Sequence, residues 1–302
     1  MISFTPLPDA MGRAWRGFTR PFTLLAALRA DGPEWRRFWI TSSLQALATL
    51  AMALSLVWLK GGMTSEAGGL TLRQVLNRLA VLGGSLVSAQ WVTLALSREF
   101  QDPVARALCG VAGIEPEDEA SKPRLGLDAK WLLKKIKQRL RGVLVLLPGF
   151  IAFVPLYLAA AIAGVDDFVM PPLMFGWSFY WWCAFTAGRS ARAWKDEAAG
   201  TLPAPVRWWL ARTESTFGFR WFFPRWLGRF AVYATRRDAA PAVAMERDLP
   251  AFVGLGLARM VLSLPLLRLF FRSAIDMAAA DVLEHLPPPK ESLRGEGRDA
   301  RG

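Results

Sequence analysis

The chain has 302 residues, of which 53% are hydrophobic, and its formal net charge at pH 7 is +12. Four apolar stretches of 18 or more residues are long enough to cross a bilayer, and they exclude an ordinary soluble protein. Two cysteines and one histidine leave no disulfide framework and no histidine-based metal or catalytic site to propose. No spacing typical of an enzyme or of a cofactor site is present, so we expect neither catalysis nor a cofactor.

The basic residues are distributed in alternation between the apolar stretches. Lysine and arginine together number six in residues 1–37, ten in 97–141 and eleven in 189–249, but three in 60–78 and none in 164–167. This alternation follows the positive-inside rule and predicts a multi-pass protein of the inner membrane with a cytoplasmic N-terminus. The expected partner of the positive charge is therefore the anionic headgroups of the bilayer and not a nucleic acid.

The first segment, residues 1–37, is amphipathic and is predicted to lie on the cytoplasmic surface of the bilayer. Its apolar side chains recur at helical spacing between arginines: Trp15, Phe18, Phe22 and Leu25. The sequence Asp31-Gly32-Pro33 predicts a helix break before the first span.

The four spans are predicted within residues 38–188, at 38–59, 79–96, 142–163 and 168–188. Between the second and third spans lies the basic cytoplasmic loop 97–141. At its end, positions 130–141 carry cations around a stripe formed by Leu132, Leu133, Ile136 and Leu140. This pattern predicts an interfacial helix on anionic lipid; alternatively, the cations only fix the topology of the third span.

A basic aromatic segment follows the fourth span, at residues 189–249. Seven arginines within 206–237 are interleaved with aromatic side chains: Trp208, Trp209, Phe217, Phe219, Trp221, Phe222, Phe223, Trp226 and Phe230. Such interleaving also occurs in single-stranded nucleic-acid channels, but beside membrane spans it favours aromatic anchors at the level of the headgroups.

The last structured segment is predicted at residues 250–286. Arg259 interrupts its first apolar half. Its second half carries charged residues, among them Arg268, Arg272, Asp276 and Asp281, and each charge is costly at the centre of a bilayer. Two interpretations remain: a re-entrant helical hairpin that turns near Ser263-Leu264-Pro265, or a fifth span followed by an external amphipathic helix. We favour the hairpin, and we expect the polar tail 287–302 to be disordered. The predicted fold class is all-α, a polytopic integral membrane protein.

Two stretches carry a family resemblance. Positions 11–22 read MGRAWRGFTRPF, and positions 252–271 read FVGLGLARMVLSLPLLRLFF and are followed by AIDMAAA at 274–280. They resemble the opening and the closing half-hairpin of the membrane family that joins CysZ-type sulfate permeases and the etoposide-induced protein. The resemblance implies the same order of amphipathic start, spans and re-entrant hairpin, and it implies transport of a small anion such as sulfate.

Arginines of the closing segment form the candidate anion site. Arg268, Arg272 and Asp276 are spaced four residues apart and share one helix face, and Arg259 lies on the preceding helix. Guanidinium groups bind sulfate, phosphate or carboxylate with two parallel hydrogen bonds, so Arg259, Arg268 and Arg272 are predicted to bind an anion. The alternative is an internal pair of Arg272 with Asp276 and an Arg268 that reaches the headgroups.

Two functions follow from this reading of the sequence. The first is a permease-like protein for a small anion, and the second is a membrane scaffold that organises lipid without transport. The oligomeric state stays open, and a homo-oligomer is compatible with either function. The short motif Gly254-Leu255-Gly256 is predicted to serve close helix packing and not nucleotide binding.

Overall fold

A computed structural model describes residues 7–59, 72–116, 126, 129–195, 201–215 and 222–286. Within these ranges every regular element is a helix, as the sequence predicts for an all-α protein. The α-helices in chain order are α1 (Leu7–Leu28), α2 (Gly32–Leu59), α3 (Leu72–Ser97), α4 (Asp102–Ala112), α5 (Ala129–Ile162), α6 (Asp166–Ala187), α7 (Arg192–Lys195), α8 (Ala204–Ser215), α9 (Phe222–Thr235), α10 (Ala239–Arg247), α11 (Leu249–Val261) and α12 (Pro265–Glu284). A 3-10 turn, Arg98–Gln101, joins α3 to α4.

The chain forms two compact units, and each unit combines distant parts of the sequence. The first unit consists of Met1–Arg20, Lys137–Ala258 and Ala278–Gly302. The second unit consists of Pro21–Ile136 and Arg259–Met277. The three predicted anion-binding arginines therefore belong to the second unit, together with α2 and α3.

Among the residues that the structure describes, three helices are long and apolar enough, by length and composition, to cross a membrane. They are α2, the part Val75–Ser97 of α3 and the part Ile136–Ile162 of α5, which have 28, 23 and 27 residues. Each of them exposes large apolar side chains, among them Leu44, Leu47, Leu54, Leu76, Leu79, Leu158 and Ile162. Exposed apolar surface of this extent is typical of contact with lipid. The predicted fourth span, α6, has 22 residues but is not one of these three helices. Its tryptophans and prolines lower its mean hydropathy.

Most of the described part of the predicted cytoplasmic loop 97–141 is helical, including the positions 130–141 at which the sequence predicts a helix. The 3-10 turn and α4 occupy its start, and the helix α5 begins at Ala129 and continues without a break to Ile162. The cationic positions 130–141 are thus the first third of the helix that also contains the third predicted span. The leucines of this part of α5 differ in burial. Leu132 packs against the cluster of Leu94, Ala95 and Leu269, whereas Leu133 and Leu140 are exposed.

The helix break predicted at Asp31-Gly32-Pro33 lies between α1, which ends at Leu28, and α2, which begins at Gly32. A second sharp turn joins α5 to α6 at Gly164, whose φ of 69° lies in the left-handed region. There the N–H of Val165 donates to the carbonyl of Ala160 at 3.0 Å, which satisfies the end of α5 in the manner of a Schellman motif.

In the first unit, α1 packs on α11 through glycines. A β-carbon at Gly17 would overlap the carbonyl oxygen of Ala251, and one at Gly254 would overlap the carbonyl oxygen of Ala14. A β-carbon at Gly256 would lie 2.7 Å from Sγ of Cys183 on α6. The prediction of close helix packing at Gly254-Leu255-Gly256 is therefore confirmed.

Ion pairs join the last turns of α12 to α1 and to α7 within the first unit. The guanidinium of Arg20 on α1 donates from Nε and Nη2 to the two oxygens of Asp281 on α12, at 2.7 and 2.8 Å. Arg192 on α7 pairs with Glu284 of α12 at 2.9 Å. Because the Asp281 carboxylate is buried, this two-bond geometry is what makes its charge tolerable.

In its described part, the basic aromatic segment 189–249 forms the helices α7, α8, α9 and α10, and α8 packs against α9. The indole N–H of Trp209 donates to the carbonyl of Pro224 at 3.0 Å, and Leu210 contacts the backbone at Gly228. The outer faces remain apolar, because Trp208, Phe222 and Tyr233 are exposed. The aromatic positions 217, 219 and 221 lie outside the described residues, as does the predicted tail 287–302.

Candidate functional site

The structure places the predicted arginines on both sides of the turn between α11 and α12. Arg259 lies in the last turn of α11, whereas Arg268 and Arg272 lie one turn apart near the start of α12. All three side chains are partly buried. The guanidinium carbon of Arg268 lies 5.5 Å from the centre of the Trp91 ring on α3, in a cation–π contact. The fold thus brings Arg268 and Arg272 onto one face of α12 and leaves Arg259 on a separate helix.

Beside these arginines, a network of buried amides connects α2, the 3-10 turn and α12. The side-chain amide of Gln101 donates to Oε1 of Gln45 at 2.6 Å and to the carbonyl of Leu269 at 3.1 Å. Gln45 in turn donates to the carbonyl and the hydroxyl of Ser97, at 3.0 and 2.8 Å. The Ser273 hydroxyl on α12 lies 3.5 Å from Oε1 of Gln101. Both glutamines are buried, so each amide has exchanged water for these partners.

A second amide ties α3 directly to the start of α12. Gln90 is buried, and its amide donates at 3.0 Å to the carbonyl of Pro265. That carbonyl stands three residues before Arg268 in the chain. The start of the arginine-bearing helix is therefore fixed to α3 both by this hydrogen bond and by the contact of Arg268 with Trp91.

The pairing of Gln45 with Ser97 sets the register of the antiparallel helices α2 and α3. Four-residue steps along both helices place Thr49 opposite Thr93 and Ala53 opposite Ala89. All four of these residues are buried, with exposed fractions of 0, 4, 0 and 0%. The contact between the two helices is therefore lined by small and hydroxyl-bearing side chains.

We call this strip the polar seam, and all of its members belong to the second unit. It consists of Ser42, Gln45, Thr49, Ser85, Gln90, Thr93, Ser97, Gln101 and Ser273. Within the described part of the chain, the hydroxyls of Thr49, Ser85 and Thr93 are buried and have no hydrogen-bond partner. By contrast, Ser97 of the seam and, outside it, Ser55 and Ser88 donate to the carbonyl four residues earlier. The seam therefore has polar groups that its own helices do not use.

The sequence indicates this seam through the helical spacing of its polar residues, which mean hydropathy does not detect. On α2, Ser42, Gln45 and Thr49 recur at helical spacing, and on α3 Ser85, Thr93 and Ser97 fall on every fourth position or its multiple. Within long apolar stretches each of these side chains is an isolated polar residue. Their common face becomes visible only when the helical period is applied to polar residues as well as to apolar ones.

The first unit contains a different polar cluster, centred on Glu246 of α10. Its carboxylate accepts hydrogen bonds from the hydroxyl of Tyr180 on α6 and from the backbone N–H of Ala204, the latter at 2.6 Å. Arg207 of α8 lies 3.5 Å from the other carboxylate oxygen. Three helices thus converge on one carboxylate whose side chain is only 15% exposed, which is a structural role for Glu246.

Comparison with known proteins yields no matching family model, no matching curated protein and no matching solved structure. The likeness to the CysZ-type permeases therefore remains a prediction from the sequence pattern. A function can be inferred only from the polar seam and from the arginines beside it.

Proposed function

We propose that the chain is an integral protein of the inner membrane that provides a pathway for a small anion, such as sulfate, along the polar seam. Arg268 and Arg272 would attract the anion to the start of α12. The buried hydroxyls of Thr49 and Thr93 would then replace part of its hydration shell between α2 and α3. The observation that carries the proposal is the presence of buried, unpartnered hydroxyls between two helices that are otherwise apolar.

The proposed topology has a cytoplasmic N-terminus, four spans and a re-entrant hairpin. The spans are α2, α3, α5 and α6, and the hairpin is formed by α11 and α12. The lengths support the hairpin: α11 has 13 residues, and at 1.5 Å per residue it would cover about 20 Å of a hydrocarbon layer about 30 Å thick. The chain then turns at positions 262–264, before Pro265.

The chemistry of the seam suits an anion better than a cation. The charged side chains that we assign to the pathway, Arg268 and Arg272, are cationic, and the unpartnered hydroxyls of the seam can donate a hydrogen bond. A cation pathway requires carboxylates or exposed carbonyl groups as ligands.

The experiment is transport of radiolabelled sulfate into liposomes that contain the purified full-length protein. We expect flux above that of empty liposomes, and we expect Arg272→Gln to lower it about tenfold or more through the lost charge-assisted hydrogen bonds. Arg36→Gln is the matched control, because Arg36 is an exposed arginine of α2 in the same unit. Flux equal to that of empty liposomes would refute the proposal.

A second pair of variants separates transport from folding. Thr49→Val with Thr93→Val removes two hydroxyls at nearly constant volume, and since neither hydroxyl has a partner, the helices should pack as before. Sulfate flux should fall while the stability of the protein is retained. The control is Ser88→Ala on α3, whose hydroxyl is exposed and already bonded to Gly84. Unchanged flux in the double valine variant would exclude the seam as the pathway.

The alternative function is a membrane scaffold that gathers anionic lipid without transport. It is supported by the exposed apolar residues Leu133, Ile136 and Leu140, which alternate with cations on the first third of α5. A scaffold predicts no sulfate flux, together with enrichment of anionic lipid around the purified protein that falls as salt is raised.

A further inference from the structure

An apolar cavity of about 220 Å³ lies within the first unit, between α5, α6, α8 and α9. It is bordered by Trp177 of α6, by Trp208 and Trp209 of α8, by Ala231 of α9 and, on α5, by Pro148, Gly149, Ala152 and Phe153. The cavity is open on one side. Its volume is below the ~300–1,000 Å³ typical of sites for drug-sized ligands, so it fits a narrow apolar group.

The lining offers almost no polar contact. The indole N–H of Trp177 donates to the carbonyl of Leu146 at 3.0 Å, and the indole N–H of Trp209 donates to the carbonyl of Pro224 at 3.0 Å. Both rings therefore present carbon surface. The side chain of Trp177 also lies directly against Gly149, where a β-carbon would overlap the ring, so this wall is fixed by close packing.

The position of the cavity along α5 corresponds to the acyl region of a bilayer. Arg141 is the last cation before the apolar part of α5, and Pro148 follows it by seven residues, or about 10 Å along the helix axis. Since α5 is one of the three helices that could cross a membrane, the cavity lies below the level at which its last cation meets the headgroups.

An arginine side chain lies beside the rim of the cavity. The guanidinium carbon of Arg212 lies 5.6 Å from the centre of the Trp208 ring, and Trp208 is itself part of the lining. Arg212 is exposed, so its charge is available to a second group. The neighbouring Arg207 differs, because Glu246 already lies 3.5 Å from it.

We propose that this cavity binds one acyl chain of an anionic phospholipid of the surrounding bilayer, with the lipid phosphate held by Arg212. The shape of the cavity accounts for the chain, and the arginine beside Trp208 accounts for the headgroup. This proposal concerns the first unit, and it does not depend on whether the polar seam conducts an anion.

The bilayer setting determines which part of the lipid provides selectivity. An acyl chain that moves from the membrane into an apolar cavity leaves one hydrocarbon environment for another, so the hydrophobic effect contributes little to its binding. Selectivity must come from packing and from the headgroup charge. Loss of one basic residue at a membrane surface then corresponds to about a fivefold loss of affinity for an anionic lipid.

The experiment measures the thermal stability of the delipidated full-length protein in detergent as phosphatidylglycerol or phosphatidylcholine is added. We expect phosphatidylglycerol to raise the melting temperature at lower concentration than phosphatidylcholine does. Ala152→Phe should fill the cavity and abolish this shift, and Arg212→Gln should weaken it about fivefold. The matched controls are Ala161→Phe, at an exposed position of the same helix, and Arg229→Gln, at an exposed position of α9.

A phospholipid with a photoreactive group in its acyl chain provides a test on the unmodified protein. Crosslinks to positions 148–153 or to Trp177, identified by mass spectrometry, are expected, and crosslinks confined to other helices would overturn the proposal. Equal shifts with the two lipids would also overturn it, as would a full shift in Ala152→Phe. Stabilisation by a free fatty acid but not by phosphatidylglycerol would show a different ligand and would overturn it too.

Discussion

The replacement of Gln101 by leucine tests whether the buried amide network holds the second unit together. Gln101 is 7% exposed, and its amide makes two hydrogen bonds, to Gln45 and to the carbonyl of Leu269. Gln101→Leu keeps an apolar side chain of similar length and removes both donors. The oxygen of Gln45 then remains buried without this partner.

The expected cost follows from the two interactions. Side-chain hydrogen bonds between membrane helices contribute ~0.6 kcal/mol on average and up to ~1.7 kcal/mol. A buried acceptor left without a partner adds ~1–3 kcal/mol, and here this applies to Gln45, since the amide of Gln45 keeps its bonds to Ser97. Together these terms predict a loss of about 2–4 kcal/mol in the free energy of unfolding.

The assay is denaturation of the full-length protein in mixed micelles, followed by circular dichroism. Gln138→Leu is the control, because Gln138 is an exposed glutamine of α5. The double variant Gln45→Leu with Gln101→Leu should lose less than the sum of the two single variants, since both buried groups are then removed. Wild-type stability for Gln101→Leu, or strict additivity in the double variant, would show that the network does not stabilise the fold.

Three further predictions address packing and charge. Thr49→Val or Thr93→Val should retain or raise stability by ~1 kcal/mol in the same assay, because each removes a buried hydroxyl that has no partner; a loss above this amount would contradict that assignment. Gly254→Ala should prevent α1 from packing on α11 and lower stability by ~3 kcal/mol or more, whereas Gly12→Ala, on an open face of α1, should be neutral or mildly stabilising; equal effects would refute the close crossing. Burial raises the pKa of Asp238, an effect that Arg237 partly offsets, so the native state retains a proton to higher pH than the unfolded state does. The contribution of Asp238 to stability should therefore be fully present below the ordinary aspartate pKa and be lost as pH rises through the folded value, and Asp238→Asn should remove this part of the pH dependence; an unchanged pH profile would refute it.

Local information in the sequence was sufficient for the helices and for several of their ends. The break at Asp31-Gly32-Pro33 is visible because glycine and proline act within their own turn. Close packing at Gly254 is visible because glycine in an apolar helix lets the backbone of another helix approach closely. The apolar stretches in α2, α3 and α5 follow from composition alone, because the thickness of the hydrocarbon layer sets their length.

The boundary between the cationic positions 130–141 and the third span was not visible in the same way. Their charge predicted either an interfacial helix or cations that only fix the topology of the third span. The backbone of α5 is helical on both sides of Gly142, because a single glycine weakens a helix without breaking its hydrogen bonds. Charge therefore predicts where the chain would meet the headgroups, but it does not predict where a helix begins or ends.

The polar seam was decided by the tertiary structure. Gln45, Gln90 and Gln101 are single polar residues separated along the chain, and each is tolerable in an apolar setting only if a partner from another helix reaches it. Those partners are Ser97, Pro265 and Leu269, respectively, and they lie up to 175 positions away in the chain. The local sequence around each glutamine does not predict which residue will be its partner. The sequence by itself determined an all-helical chain with lipid-length apolar helices and cationic flanks, because these depend on spacing and composition. Which polar groups meet, and which hydroxyls remain unused, depends on helix register, and register exists only after the helices have packed.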